Sequence, residues 1–192
     1  MATRPDSDTE SEPEFVTNSG APRNCPTPSL VADCASCAAL CCVGLALDRG
    51  DAFAIDKPAG QPCPNLGGHL CTIHDTLDAD GFSGCTAFDC HGAGQRVVQE
   101  LHAGASWRDQ PDILRQMMDD FLDLRRIHDQ WHLLDAAAAL PLTDQEKQAR
   151  EQLIAAITAP VTRANLTDRA IHLPLRAAQF LTSLRHHVTR KP

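Results

Sequence analysis

The sequence predicts a mainly α protein in which an irregular cysteine-rich module packs on a C-terminal helical section. Three observations predict it. Eight of the nine cysteines fall between Cys34 and Cys90, and none follows Cys90. The segment that holds them is broken by Pro and Gly, which leaves it little regular structure. The segment after it carries apolar residues at three- and four-residue spacing, the period of a buried helix face.

At 192 residues the chain fits one domain with an appendage. Hydrophobic residues make up 43% and aromatics only 4%, with no Tyr, so the core is built mainly from Ala, Leu, Val and Ile. The net charge of −8 argues against general nucleic-acid binding, which needs a basic surface to release counterions, and equally against an anionic membrane surface. No stretch approaches the roughly 20 apolar residues of a membrane span. The opening Met1-Ala2-Thr3-Arg4-Pro5-Asp6 is not followed by an apolar run, so a secretory signal is not expected and a cytoplasmic location is.

Residues 1–28 form the first section. Asp6, Asp8, Glu10, Glu12 and Glu14 alternate through it, and only Phe15 and Val16 offer apolar area, so an acidic disordered tail is expected. Cys25 lies in this tail and outside the ligand set.

Residues 29–94 are the cysteine-rich section. The run Cys34-Ala35-Ser36-Cys37-Ala38-Ala39-Leu40-Cys41-Cys42 sits in a stretch, Leu30 to Leu47, apolar enough for a short helix that starts after Pro28-Ser29 and stops at Gly50. On such a helix Cys34, Cys37 and Cys41 fall at i, i+3 and i+7, one stripe. Cys63 is flanked by prolines, and Cys71 sits in a short apolar turn. Cys85 and Cys90 follow glycine-rich, loop-like residues. Thiolates at short spacing are the ligands of structural zinc and iron–sulfur centres, and metal binding supplies the folding energy that a region poor in apolar area lacks. A chain in a reducing compartment, with an odd number of cysteines, fits this better than a disulfide framework. The expected metal ligands are Cys34, Cys37, Cys41, Cys42, Cys63, Cys71, Cys85 and Cys90. A mononuclear zinc or a four-iron cluster takes four ligands, so eight permit two centres or one centre with spare thiols. Adjacent residues on a regular helix do not aim at one metal, so Cys41 and Cys42 suggest different metals, or a ligand beside a structural thiol.

His69, His74 and His91 lie close to cysteines in sequence and fit outer-sphere or surface roles better than direct ligation. Lys57, between Asp56 and Pro58, reads as a surface turn held by an ion pair. Gly92-Ala93-Gly94-Gln95 has neither a preceding strand nor a following Gly-Lys-Ser/Thr, so it is not a phosphate loop. No convergent nucleophile or acid–base set appears, which points away from an enzyme.

Residues 95–192 read as helical. Gln95 to His102 forms a first helix. Ile113, Met117, Phe121, Leu124, His128 and Trp131 mark an amphipathic helix from about Asp112 to Leu140, with His128 as a packed core residue. Thr143-Asp144-Gln145-Glu146 has the form of a capping box that starts a helix carrying Leu153, Ile154 and Ile157. A last helix covers Leu175 to His187, where His186 and His187 read as exposed basic residues. The helices offer a surface for a protein partner. Oligomeric state is open.

Two resemblances rest on these residues. The order Cys34-x-x-Cys37-x-x-x-Cys41-Cys42, Cys63, Cys71-Thr72-Ile73-His74 and Cys85-Thr86-Ala87-Phe88-Asp89-Cys90 resembles the bacterial zinc- or iron-chelating proteins of the YkgJ type. His74 stands where that pattern has Tyr, and Gly81-Phe82 where it has Arg-Pro. Ala54 to Leu66 and Phe88 to Gln95 are similar to the N-terminal region of actinobacterial pentapeptide-repeat proteins. That likeness spans about residues 30–140, and the repeats themselves look absent, with one such unit at Ala164-Asn165-Leu166-Thr167-Asp168. The resemblances imply a cysteine-rich metal-binding module that takes zinc or an iron–sulfur cluster. The sequence leaves three roles open: structural or partner-binding, an iron–sulfur redox or electron-transfer component, and a thiol redox sensor.

Overall fold

The computed structural model describes residues 27–188. The acidic tail expected over residues 1–28 lies almost wholly outside the described residues, as does Cys25. The chain is mainly helical. In order come α1 (Leu40–Gly44), a two-residue hairpin of β1 (Leu66–Gly67) and β2 (Leu70–Cys71), α2 (Ser83–Ala87), α3 (Ala93–Arg96), α4 (Leu114–Ala136), α5 (Asp144–Thr158) and α6 (Arg163–Ser183). A single π-turn, Val97–Leu101, extends α3. The hairpin is antiparallel, with Leu66 opposite Cys71 and Gly67 opposite Leu70.

The central element is α4, which touches α1, α3, α5 and α6. Its buried side chains are Met117, Asp120, Phe121, Leu124, Ile127, His128, Trp131 and Leu134. The expected stripe is therefore the core face, and His128 is fully buried on it. α5 begins at the anticipated capping box: Thr143 Oγ1 accepts from the Glu146 N–H, and the Glu146 carboxylate accepts from the Thr143 N–H. α6 starts twelve residues before the expected Leu175, because Thr162 and Asn165 form a second box. Pro174 sits inside this helix. Leu166, Ala170, Leu173 and Ala177 bury one face of it, and that packing outweighs the lost hydrogen bond. The pentapeptide-like unit at Ala164–Asp168 is part of this helix.

Buried charges tie the helical layers together. Arg96 donates to Glu100, to the Ile157 and Ala159 carbonyls, and lies 3.3 Å from His128 Nε2. Arg169 gathers the Ala156, Ile157, Ala159 and Pro160 carbonyls. Two guanidinium groups thus satisfy the unpaired carbonyls at the end of α5, where positive charge is favoured. His128 Nδ1–H donates to the His91 carbonyl, leaving Nε2 to accept from Arg96. The cysteine-bearing turns belong to the same core: Cys37, Leu40, Val43 and Cys90 cluster with Met117, Phe121 and Leu124.

Burial depresses the His128 pKa from 6.5 to about 4, against the His91 carbonyl, which favours the charged form. A depressed imidazole contributes stability that is present above pH 6.5 and lost as pH falls toward 4, because the unfolded chain takes up the proton first. The loss is on the order of 3 kcal/mol. Denaturant titrations at pH 7 and pH 4 measure it, with His128→Asn less stable at pH 7 and its stability less dependent on pH over this interval.

Candidate metal centre

The first cysteines sit on either side of a left-handed corner rather than on one helix. Asp33 caps a single 3-10 turn, Cys34–Ser36, accepting from the Ala35 N–H and the Ser36 hydroxyl. Ala38 (φ 29°) and Ala39 (φ 55°) then adopt left-handed backbone, which costs non-glycine residues about 1–2 kcal/mol each. Tertiary contact holds that turn: the Trp107 indole N–H donates to the Ala38 carbonyl at 2.7 Å. The expected helix from Leu30 to Leu47 is therefore corrected to a 3-10 turn, a left-handed corner and α1. Cys34, Cys37 and Cys41 do not share a helical stripe.

The later cysteines fold back onto this corner. The Cys63 N–H donates to the Cys42 carbonyl at 3.1 Å, and the Leu66 N–H to the Cys63 carbonyl at 3.1 Å. The hairpin then presents Cys71. Cys85 lies on α2, where a loop was expected. Cys90 precedes His91 (φ 48°) and Gly92 (φ 75°), a second left-handed corner. Glycine is required there, since a Cβ at Gly92 would collide with the Ser29 carbonyl. Gly94 is required for another reason: its missing Cβ leaves the space taken by the Cys37 sulfur.

All eight thiols are unpaired. Seven of them, all but Cys63, line one cavity of about 710 Å³. A smaller recess of about 20 Å³ is bounded by Cys34, Cys37, Cys41 and Cys90, with Phe121 behind. The Cys41 and Cys42 sulfurs are 3.9 Å apart. Among the described residues, no three cysteine sulfurs lie within 4.8 Å of one another.

The electrostatics are those of crowded thiols. Burial pushes Cys37 up to about 12, against the Leu40 N–H, and Cys41, Cys90 and Cys34 add to the rise. Burial also raises Cys34, followed by Cys41, Cys90, Asp33 and Asp89. Cys41 is lowered, chiefly because Cys42 donates its S–H to it, and Cys42 is raised by the same bond. Burial raises Cys85, then Cys63, Cys41 and Cys71, while Lys57 opposes the rise. Such a group ionises together only when a cation compensates it. Coordination of a soft metal would compensate it, with the thiol protons released to solvent.

Lys57 was the residue that sequence reasoning misplaced. It is 5% exposed, and its Nζ donates to the carbonyls of Leu45, Pro58 and Gln61. Asp56 pairs with Arg49 instead. Burial lowers the Lys57 pKa, and Cys63, Cys42, Cys85 and Cys41 push it back up, so this ammonium and those thiols act on each other through space. Its only sequence signal is the Lys-Pro-Ala-Gly turn, which brings carbonyls round the amine.

The histidines separate as well. His69 and His74 line the larger cavity, but His69 Nε2 is 2.7 Å from the Ser106 hydroxyl. His91 stacks on His132, with ring centroids 4.3 Å apart, and faces Asp89. His187 is not the exposed residue expected. Its Nε2 lies 3.0 Å from the Glu146 carboxylate, which the Thr143 N–H and hydroxyl and then His187 pull down to about 2. His186 joins this cluster at the start of α5, where Glu146, His186 and His187 place three potential ligand atoms within 4.8 Å.

No protein-family model matches the chain, and no solved structure matches it. It is 43% identical over 109 residues to a Bacillus subtilis (strain 168) protein called "Uncharacterized protein YybG". The match covers 56% of this chain and 39% of that protein, so the chain spans well under half of the relative's length.

Gly94→Ala places a methyl group where the Cys37 sulfur lies. The variant is expected to bind less metal than the wild type, measured by elemental analysis of anaerobically purified protein. Gly50→Ala is the control, because a Cβ there meets nothing within 4 Å, and its metal content is expected to be unchanged.

Proposed function

We propose that this chain is a cytoplasmic metal-binding protein whose cysteine-rich module folds around zinc or an iron–sulfur centre and serves a structural or protein-interaction role. The observation that carries the reading is the convergence of seven thiols on one cavity, with Cys63 tied to Cys42 through the backbone. Few forces other than metal ligation reward gathering so many poorly solvated thiols. Unpaired thiols fit a reducing compartment. No described helix is long and apolar enough to cross a membrane. Leu122 and Leu133 on α4 and Ile171 and Leu175 on α6 are half exposed, which suits a protein partner better than a nucleic acid.

A second reading, an iron–sulfur redox or electron-transfer component, is favoured by the sulfur spacing. A tetrahedral zinc with 2.3 Å bonds holds its sulfurs about 3.8 Å apart. The Cys41 and Cys42 sulfurs are 3.9 Å apart, but no third described cysteine sulfur lies within 4.8 Å of both, so the array is wider than one tetrahedral zinc holds.

Elemental analysis for zinc, iron and acid-labile sulfide, with a visible spectrum, tests both readings on protein purified without oxygen. Stoichiometric zinc in a colourless protein is the outcome expected for a structural zinc module. Iron with sulfide and a visible band bleached by dithionite supports the second reading. Metal-free protein whose thiols all titrate without denaturant overturns both.

A further inference from the structure

We propose that the eight thiols divide into two four-thiolate centres that adjoin at Cys41–Cys42: Cys34, Cys37, Cys41 and Cys90 hold one soft metal centre, and Cys42, Cys63, Cys71 and Cys85 hold the other. This inference rests on the metal-binding reading above and gives its residue-level division.

The first centre is drawn by the recess. About 20 Å³ of space is bounded by Cys34, Cys37, Cys41 and Cys90 and by no other cysteine. That exceeds the roughly 10–15 Å³ that a single water-sized occupant needs. Its wall is shaped for sulfur, since Gly94 leaves room for Cys37.

The second centre is drawn by the backbone. Cys63 is bonded to Cys42, the hairpin that follows Cys63 carries Cys71, and α2 brings Cys85. Cys42, Cys71 and Cys85 line the larger cavity but not the recess. Cys41 sits at the junction, its sulfur 3.9 Å from that of Cys42. Consecutive helical side chains leave the axis about 100° apart, and although these two sulfurs are close, Cys41 faces the recess and Cys42 does not. Four ligands per centre use all eight thiols and leave none spare.

Asp33 lines the recess, and Lys57 acts on Cys41 of the first centre as well as on Cys42, Cys63 and Cys85 of the second.

The test uses the full chain, purified anaerobically, with native mass spectrometry and elemental analysis for zinc, iron and sulfide. Cys90→Ser and Cys63→Ser each remove one ligand, and Cys34→Ser and Cys85→Ser repeat the experiment at each centre. Far-UV circular dichroism confirms that each variant keeps its helices. The expected result is two centres in the wild type. Each variant loses one of them and retains the full complement of the other, with Cys34→Ser matching Cys90→Ser and Cys85→Ser matching Cys63→Ser. One centre in the wild type overturns the inference while leaving the metal-binding reading intact. So does a folded variant that loses everything, or a Cys63→Ser protein with unchanged metal content. A wild type without metal overturns the metal-binding reading itself.

Discussion

The cysteine-bearing turns are held against one helix, and the rest of the architecture follows from that contact. The buried face of α4 supplies Met117, Phe121 and Leu124 to a core that also contains Cys37, Leu40, Val43 and Cys90. His128, from the same face, donates to the His91 carbonyl and so fixes the corner that follows Cys90. The first corner is fixed by Trp107, which reaches the Ala38 carbonyl. Both corners use left-handed backbone at residues other than glycine, a geometry that persists only where surrounding contacts over-determine it. The thiol array is therefore a product of helix packing as much as of its own local sequence.

Charge balance sets the second constraint. The core holds Arg96, Glu100, His128, His102 and Asp120, and each has a partner. Arg96 and Arg169 close the end of α5, and Asp120 pairs with His102 at 2.7 Å and with Arg163 at 3.6 Å. On the thiol side the balance is less complete. Lys57 is the cation that acts on Cys42, Cys63 and Cys85, while Asp33 and Asp89 press on Cys34. A metal dication would supply the missing positive charge, and thiolates stabilised by it would no longer resist burial.

Much of the helical half was legible in the sequence. The spacing from Ile113 to Trp131 gave α4, and Thr143 with Glu146 gave the start of α5, since helix periodicity and capping are local signals. The start of α6 was missed because Pro174 argues against a helix through that position. The buried face from Leu166 to Ala177, set by tertiary packing, overrides it. The run from Leu30 to Leu47 misled for the opposite reason. Its apolar composition suits a helix, and nothing local announces that Trp107, far along the chain, will capture Ala38.

By itself the sequence determined the thiol inventory, the mainly helical class, the buried stripe of α4 and the cap of α5, because each depends on residues within a turn or two of one another. The tertiary structure decided how the thiols are grouped, that Lys57 is buried beside them, and that a left-handed corner at Ala38-Ala39 separates Cys34 and Cys37 from Cys41. Those features depend on contacts between residues far apart in sequence, and such contacts form only once the long helix offers a surface to fold against.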